Sequence, residues 1–136
     1  MPWWNPLTWI TPAPSPVPPA PPPAPADTAA ELLGLVNAAR AEHALAPLTI
    51  DGRLVAAAAR HAGTMAARGI LAHEGLGDGY PWSRASAAGY RWSEVAENIG
   101  TGYPNVAAMM AGWLASPGHA ANILGPSVDF GAAAAA

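Results

Sequence analysis

His73, Glu97 and His119 are the side chains of this sequence whose types and settings could do chemistry. A neutral imidazole accepts a proton or binds a metal, and a carboxylate orients such a ring or acts as a base itself. His73 directly follows a helical stretch and enters Ala72-His-Glu-Gly-Leu-Gly-Asp-Gly-Tyr-Pro81, a turn-rich loop of the kind that displays functional groups on a rigid scaffold. His119 lies in Ser116-Pro-Gly-His, where a serine N-cap and a proline at the first helical position predict a helix start. In that first turn the helix dipole disfavours an imidazolium, so His119 reads either as a metal-binding or proton-accepting ring or as a capping-region histidine bonded to a nearby loop. Glu97 sits among apolar Val95, Ala96 and Ile99; a carboxylate buried there must be paired, and one or two histidines would satisfy it.

The remaining titratable groups read differently. His43 falls near a helix end beside Glu42 and predicts a surface position, whereas His61 lies on an apolar stripe and predicts a hydrogen-bonded core histidine. Glu74, Asp78 and Glu94 read as solvated loop residues. His73-Glu74 does not open a zincin helix motif, because Gly77 stands where the second histidine would be. No serine or threonine occupies a nucleophile-elbow context. Gly75, Gly77 and Gly79 lack the strand-to-helix unit that a phosphate loop needs.

The elements that must position these groups begin at a sharp change of composition near Asp27. Residues 1–26 hold eleven prolines and no charge, which predicts an extended, polyproline-like spacer. Its prolines interrupt every candidate membrane span, and it lacks the basic and uninterrupted apolar regions of a signal peptide. The tryptophans at 3, 4 and 9 read as an anchor, a docking peptide or the remnant of an upstream segment. Thr28 and Glu31 have capping-box spacing, predicting a first helix with Leu32, Leu35, Val36 and Ala39 on one face. A second helix is predicted from the cap Asp51 to Gly69, with Leu54, Ala58, His61 and Met65 inward. Trp82–Ala88 predicts a short helix, Val95–Ile99 a modest strand, and Pro104–Ala115 a helix with Val106, Met109, Met110 and Trp113 on one face.

Composition narrows the partners. The net charge is −3, and the six basic residues are all arginines scattered singly from Arg40 to Arg91, so no basic patch suits a nucleic acid. The absence of cysteine removes disulfides and thiolate metal sites, but does not fix a compartment.

Together these motifs resemble an ordered series. It runs through Leu35-Val-Asn-Ala-Ala-Arg40, Pro47-Leu-Thr-Ile-Asp51, Ala59-Arg-His-Ala62 with Met65, His73 and Arg84-Ala-Ser-Ala-Ala-Gly-Tyr90. Ala96-Glu-Asn-Ile-Gly-Thr-Gly102 and Trp113-Leu-Ala-Ser-Pro-Gly-His-Ala-Ala-Asn-Ile-Leu124 complete it. The chain is similar to the CAP superfamily, or SCP domain (cysteine-rich secretory proteins, antigen 5 and pathogenesis-related proteins), in its disulfide-free bacterial branch. The resemblance covers about Ala30 to Gly131. It implies an α+β fold, an α-β-α sandwich with a small antiparallel sheet between helical layers, over residues 27–136. It also implies a cleft carrying His73, Glu97 and His119, with His73 and His119 able to hold a divalent metal such as zinc, and an extracellular or cell-envelope location. Many eukaryotic members have a second glutamate shortly after the first histidine; here Tyr80 and its neighbours offer no clear equivalent, and Asp78 is a candidate by position alone. The family continues past Phe130-Gly131 through further strands, so closing strands are expected to be missing.

Three functions follow from this resemblance. The first is a binding module whose cleft holds a divalent metal, a small apolar ligand or an envelope component. The second is a metal-dependent, peptidase-like hydrolase, in which two imidazoles and one carboxylate leave an open zinc position. The third is a structural or partner-binding domain on a proline-rich tether.

Overall fold

The structure, a computed structural model, describes residues 25–135; the predicted spacer before Pro25 and the tryptophan cluster lie outside them. Five helices and two short strands follow in order: α1 Pro25–Glu42, β1 Thr49–Ile50, α2 Gly52–Arg68, α3 Pro81–Ala87, α4 Val106–Leu114, α5 Pro117–Ile123 and β2 Asp129–Phe130. α1 packs on α4 and α5, α2 packs on α3, and the strands lie against α1 and α2 between these helical groups. The α+β class and its layering match expectation. The sheet sense does not: β1 and β2 pair parallel, Thr49 opposite Asp129 and Ile50 opposite Phe130, where an antiparallel sheet was expected. Four helices intervene between these strands, a crossover that permits parallel pairing, whereas a tight hairpin would impose the antiparallel sense.

The local rules decide most boundaries. The Asp51 carboxylate caps α2 by accepting the Arg53 amide, and Gly69 ends it in the left-handed conformation, φ 62°. Asn105 caps α4 by accepting the Ala108 amide at 2.8 Å. The capping box predicted at Thr28 is not used. α1 already begins at Pro25, and Thr28 is buried within it with a hydroxyl that finds no partner among the described residues.

The core joins Leu32, Val36 and Ala39 of α1 to Leu48, Met110, Trp113, Ile123 and Ala132. Two polar side chains of α1 tie the surrounding loops to it. Asn37 donates to the Leu48 carbonyl and accepts from the Leu48 amide, so it holds the approach to β1 from both sides. Buried Arg40 donates to the carbonyls of Ala46, Ile123 and Gly125, satisfying backbone acceptors at the end of α5 that have no helical partner.

The strand predicted at Val95–Ile99 does not form. Its carbonyls are taken by side chains instead of a neighbouring strand: Asn122 Nδ2 donates to Glu97 O at 3.1 Å and Trp113 Nε1 to Ile99 O at 3.1 Å. The segment is therefore fixed against α4 and α5 without a ladder. No described helix is long and apolar enough to cross a membrane.

Candidate functional site

The alternating glycines of the loop after α2 shape the site. Gly75, Gly77 and Gly79 all adopt positive φ, at 84°, 86° and 88°, which lets the chain turn repeatedly while Leu76 and Asp78 between them point inward. Asp78 is thus a buried residue, correcting the expectation of a solvated loop acid. Its Oδ2 lies 2.7 Å from Nδ1 of His61, and its Oδ1 lies 3.4 Å from Nη1 of Arg84. Burial pushes the Asp78 carboxyl upward, but the His61 hydrogen bond and the neighbouring His61 and Arg84 charges outweigh it and hold the group below the usual range. His61 is the hydrogen-bonded core histidine that its place on α2 predicted.

Arg84 joins this pair to the predicted site. Its side chain is 1% exposed, with Nη2 donating to both Glu97 oxygens at 3.1 and 2.9 Å and to the His73 carbonyl at 3.0 Å. Nη1 also donates to Gly79 O at 2.7 Å. Glu97 Oε1 lies 2.9 Å from Nδ1 of His73, whose side chain is 50% exposed. An ionised carboxylate only accepts, so that contact places the His73 proton on Nδ1 and leaves Nε2 as the ring's free nitrogen. The structure therefore brings His73 and Glu97 together, half at the surface and half buried.

His119 stands apart from them. Its Nδ1 meets the Ser116 hydroxyl at 2.9 Å and its ring stacks on Trp113. Ser116 accordingly supplies no side-chain cap to α5, contrary to expectation. Among the described residues no hydrogen bond links the His119 ring to His73 or Glu97; the connection is indirect. Asn98 donates to the His119 carbonyl, and Asn122 donates to both the Asn98 side chain and Glu97 O. His43 is exposed, as its position predicted.

The donor set does not fit the metal centre that the resemblance implied for His73 and His119. Glu97 is held by Arg84 and His73, Asp78 by His61 and Arg84, and a cation would have to displace a buried guanidinium to reach either acid. No group of three or more His, Asp or Glu side chains among the described residues is arranged to hold an ion. Arg84 and Asp78 escaped the sequence reading; the available signals were an arginine within a short helix and a glycine at every second position before it.

Beside this cluster lies a cavity of about 690 Å³. Leu32, Val36, Met65, Met109 and Trp113 supply apolar wall, and Arg84 and Glu97 a polar side. Neither His73 nor His119 lines it among the described residues.

Fold and site together define a class: a small α-β-α domain with an arginine-clasped His–Glu pair next to an apolar cavity. The chain belongs to the Cysteine-rich secretory protein family, CAP, whose pattern it matches over residues 33–136. It is 29% identical over 97 residues to YkwD of Bacillus subtilis, covering 71% of this chain and 38% of that protein. Its fold resembles the crystal structure of an extracellular protein containing an SCP domain from Bacillus anthracis, with a TM-score of 0.77 at 22% identity, over 85% of this chain and 42% of that one. The chain spans about two fifths of the length of these relatives.

Proposed function

We propose that this chain serves as an exported binding module, taking a small apolar ligand into the cavity between α1, α2 and α4, with Arg84 and Glu97 as the polar side of the site. The cavity carries this reading. Its volume falls in the range of small-molecule sites, its wall is mainly apolar, and Arg84 and Glu97 add charged groups to it. Export is supported by the SCP-domain relative described as extracellular.

The His119 ring, held by Ser116 and Trp113, stabilises the α4–α5 corner from which Asn122 reaches Glu97. Titration with a fatty alcohol, a fatty acid and a sterol, followed by tryptophan fluorescence, tests the proposal. Saturable binding is expected for at least one, and Ala58→Phe, which projects into the cavity from half-buried α2 wall, should weaken it at least tenfold while the circular dichroism stays native. Absence of saturable binding across all three would leave the polar cluster as a loop clasp alone and refute the module.

A further inference from the structure

At residues 100–104 the wall of the cavity is a single layer of chain. Gly100, Thr101, Gly102, Tyr103 and Pro104 all line it, and the last four are also exposed to solvent. Leu32, Val36 and Trp113, by contrast, line it from the buried core. Both ends of this layer are fixed. Ile99 O accepts from Trp113 Nε1 at 3.1 Å, and Asn105 caps α4 through its side chain and its carbonyl. Between these anchors, among the described residues, no backbone group of residues 100–104 pairs with another backbone group. An exposed segment without such bonds opens at little cost in free energy.

Side-chain contacts on α4 hold the segment down, and two glycines make room for them. A Cβ on Gly100 would come within 3.1 Å of Met109 Sδ and 3.4 Å of Trp113 Nε1, so the chain there lies directly over both residues. A Cβ on Gly112, inside α4, would come within 2.6 Å of the Tyr103 hydroxyl oxygen and 3.0 Å of two ring carbons. Glycine inside a helix weakens it relative to alanine, and at position 112 what it makes room for is the Tyr103 ring. Gly102 turns the chain between the two contacts at φ 80°.

We propose that residues 100–104 form a hinged strap over the cavity, closed by the Tyr103 ring seated on Gly112, and that an apolar ligand enters when the ring lifts. The strap turns at Gly100 and Gly102, and its movement uncovers Met109 of the cavity wall. Tyr103 is 45% exposed, so one side of the ring is held by protein and water replaces that contact when it leaves. The gating role rests on the reading of the cavity as a site for an apolar ligand.

Gly112→Ala separates the latch from the wall. Gly112 does not line the cavity, and its new Cβ would meet the end of a side chain, so the ring gives way while α4 gains a better helix former. Relaxation-dispersion NMR on the ligand-free full chain reads the strap. The Thr101, Gly102 and Tyr103 amides and the Met109 methyl should share one exchange process that Met110 lacks, and Gly112→Ala should raise its minor population. Flat profiles at all four sites in both proteins would overturn the strap. Stopped-flow tryptophan fluorescence with a medium-chain fatty alcohol reads the latch. Association and dissociation should both quicken about tenfold in Gly112→Ala with Kd nearly unchanged, because a gate that opens more often speeds both directions alike. Faster dissociation alone would make Tyr103 a wall contact and overturn the latch. No alcohol binding, with the shared exchange present, would refute the binding module and leave the hinged strap standing.

Discussion

Arg84 holds both acids of the site, and its loss is more damaging than that of any group it contacts. Arg84→Met would leave Asp78 and Glu97 facing each other's surroundings without a cation, a change that costs about 3–5 kcal/mol when one partner of a buried pair is removed. Urea unfolding should show that loss, with Arg84→Lys intermediate, because an ammonium keeps the charge but cannot reach four acceptors in the guanidinium's plane. The Asp78 carboxyl adds a pH dependence whose sign is fixed. Its folded-state pKa lies below the ordinary value of 3.8, so its stabilisation is present above that value and disappears as the pH falls through the folded-state one. Urea midpoints measured from pH 5 downward should therefore decline, and Asp78→Asn should flatten that decline. At this scale the sequence was half legible. His73 and Glu97 stood out by type and setting, and His61 by its place on a helical stripe. Arg84 and Asp78 did not, because what makes them central is burial and mutual distance, brought about by three left-handed glycines and a helix that turns one face inward.

At the scale of elements, most helices could be read from caps and spacing because those rules act within a few residues: Asp51 and Gly69 bracket α2, and Pro117 opens α5. Val95–Ile99 shows where such rules fail, since its backbone partners are the side chains of Trp113 and Asn122, distant in sequence. The same holds for the link between the end of α3 and β2. Tyr90 Oη donates to Asp129 Oδ2 at 2.6 Å, and this hydrogen bond, with burial and the Asp129 charge, pushes the phenol up to about 12. The donor needs its proton, so the stabilisation is present below the ordinary value of 10.0 and is lost as the pH rises through about 12. Tyr90→Phe should lower stability by about 1.5–3 kcal/mol at neutral pH, the cost of a hydrogen bond to a charged partner, and should remove this alkaline dependence. Gly131 marks a second link, where the chain leaving β2 passes against the start of α2. A Cβ there would collide with the backbone of Leu54 and Val55. Gly131→Ala should therefore cost about 1–3 kcal/mol in thermal or urea unfolding, the range of overpacking, with Asp51 and Arg53 amide signals shifted in the NMR spectrum.

For the whole molecule, the α+β class was legible because six short motifs occur in one order, a property of the chain as a whole. The sheet sense was not, since nothing local to Thr49–Ile50 or Asp129–Phe130 encodes which way the partner runs. Nor was the cavity, which arises from the spacing of α1, α2 and α4 and not from any one of them. It is the cavity that connects the fold to the proposed function, and the methionines offer a direct reading of it. Met65 and Met109 lie on its wall, whereas Met110 is buried in the core beside it. Carbon-13 methyl-methionine NMR during titration with a medium-chain fatty alcohol therefore tests the binding module most directly. Saturable shifts of Met65 and Met109 that exceed those of Met110 are the predicted result. Met65 and Met109 signals unmoved by the alcohol, and by a fatty acid and a sterol titrated in the same way, would contradict it.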